Sequence, residues 1–423
     1  MVITMKKKNY LMLAMAMICS IFINVNAYSA GLKDVVVSLQ IDNPILEYNG
    51  TKYSIDDNNT TPIEKNGRTL VPIRSVIEAF GGDVSWNSDT RTATLKMDGD
   101  TVSLTIGSNT GYLNGVGQYL DVAPEIINGR TMLPIRFVAE SFNLGVAWEG
   151  DTRTVTILRN GLDDEEYQYI KSVVPQYGGW PYFTVNNNVP MFKDYEIIGG
   201  SFEYYSKLDN LGRCDVTMAS IAEDIMPTEK RGDISSVIPT GWQNKSYDFI
   251  PGKYLYNRCH LIGYQLTGEN ANPRNLITGT RALNVDGMLP FENAVDDYIE
   301  RTGNHVMYRV TPVFDGSNLV ADGVLMEAYS VEDNGQGVMF CVYCYNSQPD
   351  IYIDYATGAN SSSVSQTVTY TPTDTPSQPS GVYRTPSGKR YHFDAQCGGK
   401  NSYATTLEQA KAAGLAPCQK CAK

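Results

Sequence analysis

An internal duplication constrains this chain more than any other feature. Asn66-Gly-Arg-Thr-Leu-Val-Pro-Ile-Arg74 recurs as Asn128-Gly-Arg-Thr-Met-Leu-Pro-Ile-Arg136, Trp86 recurs as Trp148, and Asp89-Thr-Arg-Thr92 recurs as Asp151-Thr-Arg-Thr154. All three pairs share an offset of 62 residues, so residues 33–160 are read as two copies of one supersecondary unit. Each copy predicts an Asn-Gly turn, then a short helix with Pro72 or Pro134 near its first turn. A strand around the tryptophan, a turn at Asp-Thr and a strand such as Thr92–Lys96 follow. The region holds neither His nor Cys, so imidazole and thiolate metal ligands are absent from it. A stalk or wall-proximal spacer is the reading this favours.

At 423 residues the chain exceeds a single core. Tyr outnumbers Phe 28 to 12 and Gly reaches 37, which favours sheets and loops over a helical bundle. The N-terminus reads as a secretion signal over residues 1–27. Lys6, Lys7 and Lys8 precede an apolar run from Leu11 to Ile23, shorter than the about 20 residues a membrane span needs. Val25-Asn26-Ala27 and Tyr28-Ser29-Ala30 both suit cleavage, and Cys19 lacks the small residue a lipoprotein signal places before its Cys. No later segment could span a membrane. The mature chain is therefore expected to be soluble and either extracellular or held at a cell surface. Residues 359–381 predict a linker, since 14 of the 23 are Ser, Thr or Pro and Asp374 is the only charge.

The chemistry concentrates in residues 162–358. Asn257-Arg258-Cys259-His260 is followed by Asn275, by Asn284 nine residues on, and by Glu292 eight after that. His supplies a base near neutral pH, Arg binds phosphate bidentately, and an Asn carbonyl ligates a hard cation while leaving room for water. That combination suits phosphodiester hydrolysis. Pro290, the Phe291/Val295/Ile299 face and Gly303 predict a helix directly after Asn284.

This pattern resembles the DNA/RNA non-specific endonuclease family, whose signature is Asp-Arg-Gly-His followed by Asn, Asn and Glu. The resemblance extends through Tyr204–Asp209, Gly212-Arg213, Met226–Gly232 and Gln348–Tyr355. It is nearest the secreted Gram-positive branch of DNA-uptake nucleases and streptodornases, and Asn257 and Cys259 depart from the commoner signature. It implies a mixed α/β domain with a ββα-metal finger. His260 would be the general base, Asn284 the direct ligand of Mg2+ or Mn2+, and Glu292 the residue ordering metal-bound water. Asn275 would support the His or the finger, with Arg258 and Arg231 as phosphate-facing cations. DNA, and RNA beside it, are the implied substrates. The duplicated region resembles the copper amine oxidase-like N-terminal domain, which implies contact with the cell envelope and, given its residues, no copper.

Residues 382–423 carry His392, Cys397, Cys418 and Cys421, a closed tetrahedral set for structural Zn2+. The pattern resembles the Ada-like metal-binding module appended to some secreted nucleases. One disulfide plus a free thiol is the competing reading. His305 and the Cys341/Cys344 pair both lie on strand-like segments, and neither is expected to take part in chemistry. The sequence does not decide disulfide pairing among Cys214, Cys259, Cys341 and Cys344, and it leaves the oligomeric state open.

A net charge of -12 looks hostile to nucleic acid. It is unevenly spread: residues 230–309 hold nine Lys/Arg against eight acids, and residues 382–423 hold seven against two. On its linker the basic C-terminal segment would add an electrostatic hold on nucleic acid. The expected fold class is α+β and multidomain. The leading function is a secreted metal-dependent nuclease. A non-catalytic envelope-binding protein with an inert nuclease-like domain is the alternative, and a toxin with an immunity partner is less favoured because no delivery region is visible.

Overall fold

The computed structural model describes residues 34–161, 164–363 and, with gaps, 381–421. The expected signal (1–27) and most of the expected linker lie outside the described residues.

The duplication folds as two quasi-equivalent units. In each, a helix (Ile73–Ala79 or Ile135–Ser141) begins directly after Pro72 or Pro134, and the tryptophan strand (Asp83–Asn87 or Gly145–Glu149) comes next. The Asn-Gly turns form because Asn66 and Asn128 both take left-handed φ, at 53° and 50°. The repeated motif also forms the joint between the copies. Arg68–Pro72 pairs antiparallel with Arg130–Pro134, setting Val71 opposite Leu133 and building a four-stranded sheet across the pseudo-twofold. Each unit contributes a five-stranded sheet, and that of the second copy is completed by the chain's first described strands. Val35–Gln40 pairs with Thr154–Arg159, which closes the domain end to end. Leu39, Val71, Ile77, Leu95, Leu133, Phe142 and Ile157 lie in its core.

The central domain is built on a six-stranded antiparallel sheet. Its order is Tyr182–Thr184, Met339–Tyr345, Gly323–Ser330, Val306–Val313, Thr217–Ile221 and Phe202–Tyr205. Alternation along these strands gives the sheet two different faces. Ala219, Tyr308, Met326 and Phe340 pack against the helix Leu289–Thr302 through Phe291, Val295 and Ile299. On the opposite face, Met218 and Met307 pack with Phe202 and Tyr204 against Val36, Ala147 and Leu158 of the repeat domain.

The repeat domain therefore shares a core with the central domain, where composition alone suggested a spacer. Polar contacts reinforce the seam. Lys193 pairs with Asp34 at 2.6 Å, Lys207 pairs with Asp100 at 2.5 Å, and Arg274 donates to the side-chain carbonyl of Asn143. Behind it lies a buried ionic group. Arg309 Nε donates to Glu327 at 2.7 Å, and its Nη1 reaches both Glu196 and Asn160 of the repeat domain at 3.4 Å. Glu327 and Glu196 also accept backbone N–H bonds from Met191 and Lys193.

The expected linker begins later than composition indicates. Asn360–Ser362 is a strand paired with Ile351–Ile353, held in place because Asn360 is buried and donates to the Gln243 and Gly358 carbonyls.

Removing one member of a buried charge group leaves the others uncompensated. Arg309→Ala should lower stability by about 3–5 kcal/mol in urea denaturation of the full chain. Arg68→Ala, which breaks an exposed pair with Asp121, should cost less than about 1 kcal/mol.

Candidate active site

Two antiparallel strands and a helix build the site. Tyr256–His260 pairs with Leu276–Thr280, setting His260 opposite Leu276. A π-helical turn over Leu283–Met288 then leads into the helix Leu289–Thr302. That helix carries Pro290 in its first turn and ends at Gly303 with φ 69°, as its sequence signals predict. The unit is a ββα finger, with Asn284 in the turn and Glu292 in the first helical turn.

His260 sits at the end of its strand and is only 5 % exposed. Its Nε2 lies 2.8 Å from the Asn270 carbonyl oxygen, and its Nδ1 lies 3.2 Å from Arg231 Nη2. A carbonyl only accepts, so Nε2 carries the ring proton and Nδ1 keeps a lone pair. Burial pulls the His260 pKa down to about 4; the Asn270 carbonyl opposes that shift and the Arg231 charge adds to it. At neutral pH the ring is an uncharged base whose free nitrogen faces the guanidinium.

Glu292 lies against Gly263, where a Cβ would come within 2.9 Å of the carboxyl carbon and push the carboxyl aside. Burial raises the Glu292 pKa to about 8, against the pull of Arg231. Arg231 thus acts on both groups, and the structure brings His260, Arg231 and Glu292 together. Asn284 is half-buried in the turn, and its Oδ1 is 3.1 Å from Cys259 Sγ. A single neutral amide oxygen is a hard donor that leaves most coordination positions to water and phosphate. This suits Mg2+ or Mn2+.

Two further predicted site residues are tied to neighbouring loops. Asn275 is fully buried and clamps the chain just past His260. Its Oδ1 accepts from Ile262 N at 2.9 Å and its Nδ2 donates to Ile262 O at 3.0 Å. It is a positioning residue for the His260 loop. Arg258, expected to face phosphate, instead donates to the Val237 carbonyl at 2.5 Å and the Ser235 carbonyl at 2.9 Å, with its guanidinium 4.5 Å over the Trp242 ring. Those carbonyls and the ring hold it to the 235–242 loop. The sequence reading missed Asn270, because it acts through a backbone oxygen that no side-chain motif reveals. His305 pairs with Glu332, and Cys341 and Cys344 are buried free thiols on one strand.

At the C-terminus, the ligand atoms of His392, Cys397, Cys418 and Cys421 lie within 4.8 Å of one another. Cys397 Sγ is 3.7 Å from Cys418 Sγ, and Cys421 Sγ is 3.6 Å from His392 Nδ1. A tetrahedral zinc with Zn–S bonds of about 2.3 Å sets its sulfurs about 3.8 Å apart, so the group fits that ion. N–H groups of Lys420 and Cys421 pull the Cys418 thiol down to about 6, toward the thiolate a metal needs. The expected free tether is qualified by Tyr403, whose ring packs against the central core 6.4 Å from Phe291.

Residues 193–332 match the model of the DNA/RNA non-specific endonuclease family. The central segment is a DNA/RNA non-specific endonuclease domain. Residues 47–157 match the copper amine oxidase N-terminal domain, as the duplication implied. Among solved structures, metal-free NucA from Streptococcus agalactiae is 24 % identical, with 47 % of this chain and 97 % of that one covered at a TM-score of 0.40. The Sda1 nuclease with bound zinc is 30 % identical, with 38 % and 80 % covered at a TM-score of 0.34. A protease inhibitor of Brevibacillus choshinensis is 30 % identical over 86 residues, 20 % of this chain. The chain spans about a quarter (26 %) of that curated relative's length.

A carboxyl group raised from 4.5 to about 8 stabilises the fold while it is protonated. That contribution is complete below the unfolded value and is lost as pH rises through the folded one. In chelator, Glu292→Gln should match wild type in urea midpoint near pH 4 and exceed it at pH 9. Parallel pH profiles for the two proteins would contradict a buried, protonated Glu292.

Proposed function

We propose that this chain is a secreted, metal-dependent endonuclease that hydrolyses phosphodiester bonds in DNA and RNA with little regard to sequence. The observation that carries the reading is the fixed tautomer of His260. Its Nε2–H is tied to the Asn270 carbonyl, so Nδ1 is a neutral base facing Arg231. Nδ1 takes a proton from the attacking water. The low pKa of the ring means the proton is released readily afterwards, which returns the base for another turnover. Arg231, beside His260 and Glu292, meets the anionic phosphate. Asn284 would hold Mg2+ or Mn2+ directly and Glu292 would order water bound to it; the cation supplies Lewis-acid charge on the phosphate oxygens when bound. Asn275 and Asn270 keep the base oriented. Recognition through a cation and Arg carries little base information, which accounts for low specificity.

His392, Cys397, Cys418 and Cys421 fill all four positions of a structural Zn2+ site and leave none open for catalysis. The sequence signal at residues 1–27 supports export, and no helix among the described residues is long and apolar enough to cross a membrane. The first repeat leaves Tyr112 and Tyr119 exposed, which supports envelope contact through that domain.

Plasmid and RNA digestion with Mg2+ tests the catalytic reading. EDTA should abolish cleavage, and His260→Ala should slow it by about 10²-fold or more. Undiminished cleavage by His260→Ala would falsify the mechanism. For the C-terminal group, metal analysis should find one Zn per chain, and Cys418→Ser should lose it. Zinc retained by that variant would remove these four residues as its ligands.

A further inference from the structure

We propose that the buried thiol of Cys259 is a positioning residue for Asn284, its S–H donating to Oδ1 and so fixing which atom of the amide faces the cation. The proposal rests on reading Asn284 as a metal-holding residue. It explains a departure from the commoner signature, which has Gly where this chain has Cys259.

Cys259 lies within the finger hairpin opposite Ile277 and is fully buried. Its sulfur has three neighbours able to accept: Asn284 Oδ1 at 3.1 Å, Met288 Sδ at 3.5 Å and the His260 carbonyl at 3.7 Å. A thiol has one proton, and the amide oxygen is both the nearest acceptor and, against the thioether, much the stronger. The hairpin makes room for a side chain at this position. A Cβ on Gly279 would lie 2.5 Å from Cys259 Cβ, so the cysteine fits only over a glycine.

The two ends of an asparagine side chain have nearly the same shape, but only the oxygen ligates a cation. A donor on one side of Oδ1 occupies one lone pair and leaves the other free. It also disfavours the flipped rotamer, in which Nδ2–H would meet only the weakly accepting sulfur. Cys259 touches neither water nor phosphate. Its effect passes through Asn284 and should appear in metal affinity before it appears in the chemical step.

The test uses the full chain with its C-terminal zinc site loaded and no nucleic acid present, with Mn2+ binding followed by electron paramagnetic resonance. Cys259→Ala removes the donor and keeps the Cβ, while Cys259→Ser keeps an O–H donor. The alanine variant should bind Mn2+ about fivefold more weakly, as for loss of one modest hydrogen bond, and the serine variant within twofold of wild type. At saturating metal the kcat of Cys259→Ala should recover, so that only the metal dependence shifts. Equal binding by wild type and Cys259→Ala overturns the proposal, and so does equal weakening in Ala and Ser, which would mark lost packing. Asn284→Ala separates the two levels. If it abolishes Mn2+ binding while Cys259→Ala leaves it intact, only the role of Cys259 fails. If Asn284→Ala binds Mn2+ normally, the reading of Asn284 fails together with the proposal.

Discussion

The hydrogen bond from His260 Nε2 to the Asn270 carbonyl sets the chemistry of the site, and much of the surrounding structure exists to hold its two ends. One end is fixed by the strand ladder of the finger. The other lies on the 261–275 loop, which has no ladder of its own. Asn275 closes that loop by bonding both the N–H and the C=O of Ile262 with one fully buried side chain. Leu261 N adds a bond to the Asn275 carbonyl at 2.9 Å. This clamp helps to fix the Asn270 oxygen, and with it the tautomer of His260, alongside the bond from Asn270 Nδ2 to the Asp233 carbonyl at 3.4 Å.

Burial acts on the two titrating groups in opposite chemical senses with one common result. It lowers the pKa of His260 and raises that of Glu292, so in the metal-free protein both groups are neutral near pH 7. Arg231 is then the positive charge left beside them. This is an efficient resting state for a site that must accept an anionic phosphate and a cation together. On the proposed function, that positive charge is available to the phosphate, and Glu292 gains its negative charge when a cation compensates it. The same burial explains why the finger tolerates tight local fits such as Gly263 against Glu292 and Cys259 over Gly279.

The features legible in the sequence are those that depend on short-range backbone rules or on fixed spacing. The duplication, its Asn-Gly turns, its proline-led helices and the Pro290-to-Gly303 helix all follow from residue types acting within a few positions. The nine- and eight-residue spacings located Asn284 and Glu292 because the turn and first helical turn of the finger have definite lengths. The illegible features depend on partners far along the chain. Arg258 reads as a free cation until the carbonyls of Ser235 and Val237 surround it. Arg309 reads as an ordinary charged residue on a strand, yet it is 2 % exposed between two glutamates. Asn360 sits in a Ser/Thr-rich stretch whose composition signals a linker, but two side-chain amide bonds fold it onto the domain. Polar residues buried by distant hydrogen bonds leave no local signature.

The seam between repeat and nuclease domains bears on how the acidic chain can handle an acidic substrate. Residues 230–309 hold nearly balanced charge, while the flanks of the nuclease segment carry the acidity. Part of that acidity is neutralised internally. Glu196 and Glu327 face Arg309, and Asp34 and Asp100 of the repeats face Lys193 and Lys207 of the nuclease domain. A spacer joined by a loose hinge would leave Asp34 and Asp100 in solution, where they would repel nucleic acid within a Debye length of about 8–10 Å. Docking the repeats instead places opposite charges in contact and gives the Met218/Met307 face of the sheet an apolar cover. The net charge that remains argues for weak background attraction to nucleic acid. On the proposed function, productive binding rests on a few groups of the finger region: Arg231, the Asn284 oxygen and the carboxylate that Glu292 becomes.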